Sequence, residues 1–283
     1  MPAMAVLSRL SLTVAVVLTL VGAGLTWSVY QSEMAGRQAA LDGLTQRAAR
    51  RIETRIEQHI ALLSATRAFI EVQDGPVEHE VFAAFVKGLG LDDRYSGLQG
   101  LGLARLVTPG TEDEVKATLA QNYGPEAVIW PEPVPGLRTA ITLLEPSDTR
   151  NRAAIGYDMA TEERRRVAML AALRTGEAAA TAPLQLVQEI TDDVQTGILI
   201  YLPLRPPTGS ELGGFAYAPV RLGDLFTAAL QGDDVPLVIH AVDADAPEPP
   251  LFEAPGYLAA KTASGLASQT QLAVAGRDWI LSA

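Results

Sequence analysis

Residues 139–204 read TAITLLEPSDTRNRAAIGYDMATEERRRVAMLAALRTGEAAATAPLQLVQEITDDVQTGILIYLPL, and this stretch sets the fold class. Its middle predicts one helix. Thr161 is a good N-cap, Glu162 and Glu163 sit in an acidic first turn, and Thr175-Gly176 supplies a stop. On its C-terminal side Leu184–Gln188 and Ile198–Leu204 read as strands. Outward from it, further strand-like runs are Gly100–Val107, Ala127–Trp130, Phe215–Val220, Leu237–Val242 and Leu272–Ala275. Several strands with short connections and one interrupting helix predict an antiparallel sheet in an α+β body. Three proline-rich stretches, Pro131–Gly136, Pro203–Gly209 and Ala244–Gly256, read as exposed loops.

Toward the N-terminus the pattern changes. From Leu10 to Tyr30 no residue is charged, and 21 residues at 1.5 Å rise reach about 30 Å, the thickness of a hydrocarbon core. Trp27 and Tyr30 close the run, where amphipathic aromatics favour the headgroup level. Arg9 alone precedes it, which places a short N-terminus, residues 1–9, in the cytoplasm. The expectation is a retained membrane anchor over residues 10–30. A cleaved signal peptide is the alternative, since Val21-Gly22-Ala23 resembles a small-residue cleavage site. Either way the body is exported.

A second helical pattern follows over residues 31–76. Leu41, Leu44, Ala48, Ile52, Ile56, Ile60 and Leu63 recur at steps of three and four, with Arg and Glu on other faces. Asp74-Gly75-Pro76 should end it, and a short helix should follow from Val77 to Leu89. This stalk fits a homodimer seam that carries a mechanical signal, or a helix packed on its own body; periodicity leaves both open.

Composition narrows the function. The 283 residues carry 22 Lys+Arg against 33 Asp+Glu, a net charge of −11, which disfavours phosphate-held nucleic-acid binding. Residues 1–70 hold seven Arg and four acidic groups, so the excess of negative charge lies in the body. No cysteine is present, and His59, His79 and His240 are far apart, so no metal or other cofactor is expected. Gly100-Leu-Gly102 begins a dinucleotide pattern, but Arg105 stands where the third glycine belongs. P-loop, G-x-S-x-G and H-E-x-x-H motifs are missing. The pairs Asp92-Asp93, Asp192-Asp193 and Asp233-Asp234 read as solvated loops, so no catalytic residue is assigned.

An ordered series of motifs points to a family. Gly156-Tyr157-Asp158-Met159 precedes an Arg- and Ala-rich helix ending at Thr175-Gly176; Thr181-x-Pro183 and Leu186-Val187-Gln188-Glu189 follow, then an apolar strand closing on Pro203. Upstream stand Gly97-Leu-Gln-Gly100-Leu-Gly102 and Arg105-Leu-Val107, and downstream Gly276-Arg277-Asp278-Trp279. The series, over about residues 80–283, resembles a CHASE domain, the extracellular sensor of bacterial and plant signalling receptors. The resemblance implies an α+β fold with a transmembrane helix, a stalk helix and two PAS-like antiparallel-sheet subdomains. Residues 77–220 would form the membrane-distal one with the ligand pocket, and 221–283 the membrane-proximal one. It implies an input domain in a bacterial inner membrane. A second membrane helix and an output module such as a histidine kinase or cyclase usually follow, so the chain reads as a fragment or as a sensor whose output lies elsewhere. The rivals are a non-sensing dimerisation or protein-interaction module of the same fold, and a periplasmic hydrolase, for which no nucleophile–base pair is visible.

The resemblance also implies site residues. In the family's cytokinin receptors an acidic side chain early in the helix binds the adenine edge; the matching position here is Arg165, within Arg164-Arg165-Arg166. A guanidinium has donors only, so an anionic ligand bearing a carboxylate or phosphate fits better. The bland alternative has all three arginines in solvent or paired with Glu162 and Glu163. Val187 falls on a position that contributes backbone, Tyr201 on one that holds a smaller hydroxyl residue, and Thr181 on one important for binding. Thr181 would otherwise only turn the chain before Pro183. For Asp158 a structural role is preferred, fixing the turn and helix start, and for Tyr157 a core role.

Overall fold

The computed structural model describes residues 2–73, 75–189, 194–205, 213–231 and 237–283. Asp192-Asp193, Asp233-Asp234, Asp74 and most of the Pro203–Gly209 stretch lie outside the described residues, as do the side chains of Asp92 and Asp93. One helix, α1 (Pro2–Glu71), runs without interruption through the apolar segment and the stalk. Its residues Val14, Leu18, Leu25 and Val29 are exposed, with no protein to cover them. The N-terminal part is long and apolar enough to cross a membrane, with mean hydropathy 1.7 in its most apolar window.

Farther along, one face of α1 becomes buried: Thr45, Ala48, Ala49, Ile52, Ile56, His59, Leu63, Thr66 and Ile70. The expected stripe is offset at its ends, because Leu41, Leu44 and Ile60 are only partly buried and His59 enters the buried face instead. Thr45 and Thr66 turn their hydroxyls back to Leu41 and Leu62 carbonyls, so these polar residues cost little there.

After α1 come α2 (His79–Leu89) and α3 (Leu91–Arg94), then β1 (Leu101–Leu106), α4 (Glu112–Tyr123), β2 (Thr139–Glu145) and α5 (Thr149–Arg152). A 3-10 turn at Met159–Thr161 leads into α6 (Glu163–Thr175). Then follow β3 (Ala179–Ala180), β4 (Leu184–Gln185), β5 (Thr196–Pro203), β6 (Gly214–Arg221) and α7 (Leu222–Leu230). The last elements are β7 (His240–Asp243), β8 (Phe252–Glu253), α8 (Tyr257–Ser264), β9 (Gln269–Val274) and β10 (Arg277–Ser282). Two antiparallel sheets result. The first has the order β2-β1-β6-β5-β3, with β4 also paired to β5; the second has the order β8-β7-β10-β9. The fold is thus α+β, a long helix followed by two PAS-like antiparallel sheets.

Several local expectations need correction. The run Ala127–Trp130 is no strand; only Trp130 makes a bridge, to Tyr157. The run Leu184–Gln188 shrinks to two residues, and Leu237–Val242 pairs only from His240. Within the expected loop Ala244–Gly256, Phe252–Glu253 pairs with β7. The helices α4, α7 and α8 join the one expected between strands. Strand β2 escapes a periodicity search because all seven residues are buried, so nothing alternates.

In the first sheet the alternation is clear, and it divides two cores. Ile198, Ile200, Leu202, Ala216, Ala218 and Val220 face α1, in one cluster with Ile52, Ile56 and Leu63. Leu199, Tyr201, Phe215 and Tyr217 face α6, with Met159, Ala168, Met169 and Ala172. Gly102 keeps this second face open. A Cβ there would lie 2.4 Å from the Tyr217 ring, which crosses over the strand.

Candidate functional site

The α6 face of the first sheet is where buried polar chemistry gathers. Its frame is the Gly156-Tyr157-Asp158-Met159 turn. Gly156 has φ +77°, and a Cβ would run into the Val128 carbonyl at 2.0 Å, so the turn requires glycine. Its N–H donates to the Ile141 carbonyl (2.9 Å), and its own carbonyl accepts from Trp130 N–H (3.0 Å). Asp158 locks the turn. One oxygen, Oδ1, accepts from Thr139 N–H (2.9 Å), the Thr139 hydroxyl (3.1 Å) and Ala160 N–H (3.0 Å). The structural role expected for Asp158 is therefore present, but its Oδ2 is buried with no partner.

Thr161 is not the N-cap of α6, because Met159–Thr161 form a 3-10 turn and its hydroxyl donates to the Asp158 carbonyl. The cap is Glu162, whose Oε2 accepts from Arg165 N–H at 3.0 Å, and Gly176 ends the helix with φ 74°.

Arg165 turns inward. The residue is 3% exposed, its guanidinium lies 5.0 Å from the Tyr157 ring centroid, and Nη2 donates to the Gln185 carbonyl (3.3 Å). Nε and Nη1 are buried without partners, and among the described residues no carboxylate pairs with this arginine. Its neighbours serve the backbone: Arg164 donates to the Pro183 carbonyl and Arg166 to that of Ala160. The expectation that the triplet stays in solvent or pairs with Glu162 and Glu163 thus fails at Arg165. Its side chain projects from the buried side of α6, along with Ala168, Met169 and Ala172.

Tyr201 is fully buried on β5, its hydroxyl donating to Met159 Sδ at 3.2 Å. Opposite it on β6 stands Tyr217, with ring centroids 6.3 Å apart and a hydroxyl that finds no partner. Burial pushes both phenols up from their ordinary range, and the Arg165 charge opposes that rise at each. Both hydroxyls therefore stay protonated and can donate. Thr181 is fully buried, and its hydroxyl oxygen accepts Leu199 N–H (3.0 Å), standing in for a strand partner in the gap between β3 and β4. Val187 is partly buried at the edge of the same cluster. Tyr201 and the inward-turned Arg165 thus share the α6 face with Val187 at its edge, Thr181 sits in the gap beside β5, and the Arg165 charge reaches the Tyr201 hydroxyl. Sequence reading missed Tyr217, although its alternation with Phe215 in FAYAPV places both on one sheet face.

The chain is thus a long helix followed by two PAS-like antiparallel sheets, with buried polar groups gathered on one face of the first. A family model described as the CHASE domain matches residues 75–252, and the chain belongs to that family. It is an extracytoplasmic ligand-sensing input domain. No curated protein matches the sequence. Solved structures share the fold at low identity. The periplasmic sensory domain of a Campylobacter jejuni chemoreceptor superposes with TM-score 0.55 at 10% identity, covering 88% of this chain and 94% of that one. The ligand-binding domain of a Pseudomonas aeruginosa amino-acid chemoreceptor in complex with GABA gives 0.54 at 14%, covering 87% and 98%. That of a Pseudomonas fluorescens chemoreceptor in complex with L-serine gives 0.52 at 12%, covering 89% and 96%.

Proposed function

We propose that this sensor takes a small carboxylate-bearing ligand on the α6 face of the first sheet, with Arg165 as the anion-holding residue. The observation that carries the reading is the arginine itself. A guanidinium buried with two unpartnered nitrogens is costly, and a bidentate carboxylate is the group that best repays that cost. Tyr217 and Tyr201 would add hydroxyl donors, Thr181 and Val187 would close the edge, and Asp158 Oδ2 would accept from an ammonium or hydroxyl group. GABA and L-serine, bound by chemoreceptor domains of this fold, are both carboxylates.

Signal would pass through the sheet. On β5 and β6 the residues facing the ligand alternate with those packed on α1, so a ligand that moves Tyr201 or Tyr217 moves Ile200 and Ala218 against the stalk. The ligand can bias that arrangement only by its differential affinity for the two states. In this reading residues 10–30 cross the inner membrane, residues 77–220 and 221–283 form distal and proximal subdomains outside it, and the stalk pairs with that of a second copy. The chain itself carries no catalysis, and its output would be a kinase or cyclase module.

The test is a thermal-shift screen of the full chain in micelles against amino acids, GABA and their uncharged amides. Carboxylates should raise the midpoint while amides do not, and Arg165→Met should abolish the response. A shift retained in that variant removes Arg165 from the site. No shift with any compound, for a folded sample, would favour the interaction-module reading instead.

A further inference from the structure

A second polar concentration lies away from this site, where the stalk meets α7. The cavity there has a volume of about 810 Å³ and is lined by Arg47, Arg50, Arg51 and Arg55 of α1, Arg94 at the end of α3, and Gln231. Five guanidinium groups around one space are unusual in a chain of net charge −11. Like charges this close repel, so the arrangement is unfavourable unless something negative offsets it.

The protein offsets part of it. Arg55 Nη2 donates to the Ala228 carbonyl (3.2 Å) and Arg51 Nη1 to that of Gln231 (3.5 Å), at the C-terminal end of α7, where the helix dipole is negative. Arg47, Arg50 and Arg94 have no such outlet: among the described residues none of the three makes an ion pair. On α1 the lining positions 47, 51, 54, 55 and 58 form a stripe beside the buried one, so their side chains point along the groove wall.

We infer that this groove is an anion site for a compact ligand carrying two or more negative charges, of the diphosphate or tricarboxylate type. The volume is that of a small-molecule site. Guanidinium forks from two separate elements, α1 and the end of α3, suit several oxyanion groups at once and suit a single charge poorly. Membrane lipid is the wrong source. With the apolar run ending at Tyr30, Arg47 stands about 25 Å farther along the same helix, beyond the headgroup layer. The site is separate from the α6 face and does not depend on it. Because it joins α1 to α3 and to α7, the helix that links the two sheets, its occupancy would stiffen that junction.

Titration calorimetry of the full chain in micelles, with pyrophosphate and with citrate at low and moderate salt, tests the inference. One saturable site per chain is expected, weakening as salt rises, and the stronger arm identifies phosphate or carboxylate as the preferred group. The pair Arg47→Gln/Arg50→Gln should lower the affinity at least tenfold, whereas Arg165→Met should leave it unchanged. Both substituted side chains are exposed, so the fold should tolerate them; if it does not, Arg47→Lys/Arg50→Lys keeps the charge, loses the forks and should weaken binding to a lesser degree. The inference is overturned if neither anion binds at low salt, if the double variant binds as tightly as the parent, or if the Arg variants change only the monomer–dimer balance.

Discussion

The second sheet and the α6 face of the first each hold an arginine, in opposite circumstances. Arg277, on β10, meets Asp243 at the end of β7 through two nitrogens, with side-chain exposures of 16% and 1%. Asp243 Oδ1 also accepts the N–H groups of Asp245 and Ala246, both at 3.1 Å. The hydrogen bond to Asp243 is the main reason the guanidinium is held even more firmly protonated than usual. Around it the core is filled, with Phe226 stacked on Phe252 and Trp279 fully buried. Among the described residues Arg165 meets no carboxylate, and it has two unpartnered nitrogens, with the unpartnered Tyr217 hydroxyl on the same side of the sheet. One region has paired its charge internally and, among its described buried side chains, leaves only the Trp279 indole N–H without a partner; the other leaves its arginine open on one face. A paired buried charge is architecture, whereas an unpaired one marks where a ligand can contribute.

The contrast should show most sharply on breaking the closed pair. Asp243→Ala strands Arg277 and two backbone donors, and should cost on the order of 3–5 kcal/mol in urea unfolding of the full chain. Adding Arg277→Met should recover a good part of that loss. A cost under about 1 kcal/mol would mean that solvent already screens the pair, and the contrast with Arg165 would weaken.

The stalk supplies an intermediate case. His59 is buried on α1, 6.4 Å from the Tyr95 ring, and its Nδ1 has no partner. Burial chiefly, and the Arg55 charge secondarily, hold its pKa down at about 4, against 6.5 for an ordinary histidine. The folded-state pKa is depressed, so the unfolded chain takes up a proton that the native one refuses. The contribution is fully present above pH 6.5 and is lost as pH falls toward about 4, on the order of 3 kcal/mol in all. Unfolding free energies measured between pH 4 and 7 should show this slope, and His59→Leu should flatten it.

How far the sequence exposes these differences depends on how each is built. Strands β5 and β6 are legible because their alternate residues belong to different cores, and α6 because Glu163 and Gly176 mark its ends. Strand β2 is covered on both sides and α4 buries only Val115 and Leu119, so neither leaves a strong periodic trace. The proposed site, Arg165, Thr181, Val187 and Tyr201, comes from the motif series as a set of positions. The inward turn of Arg165 was not legible, since a guanidinium in an Arg-Arg-Arg run looks like solvated surface. Nor was the use of the Thr181 hydroxyl to complete β5, which depends on a gap in the neighbouring strand. His59 was hidden for a related reason: a lone polar residue beside an apolar stripe reads as its edge.

Two smaller effects would separate a polar group that faces the proposed ligand from a structural one. Arg165→Met replaces an uncompensated charge with an apolar chain of similar length, so stability without ligand should hold or rise. What should disappear is the ligand-dependent gain, about 2.7 kcal/mol at a hundredfold excess over Kd. Urea unfolding with and without a responding carboxylate measures both. The finest comparison is between the two tyrosines. Tyr201→Phe removes a hydroxyl that Met159 Sδ already accepts, whereas Tyr217→Phe removes one that nothing accepts. Without ligand, Tyr217→Phe should therefore be the more benign, within about 1 kcal/mol and of either sign, because deleting an unsatisfied buried donor ends its desolvation cost. With ligand the order should reverse, Tyr217→Phe giving up the larger share of the thermal shift. A ligand effect left unchanged by both variants would place the ligand's polar groups on neither hydroxyl and leave Arg165 as its charged anchor on that face.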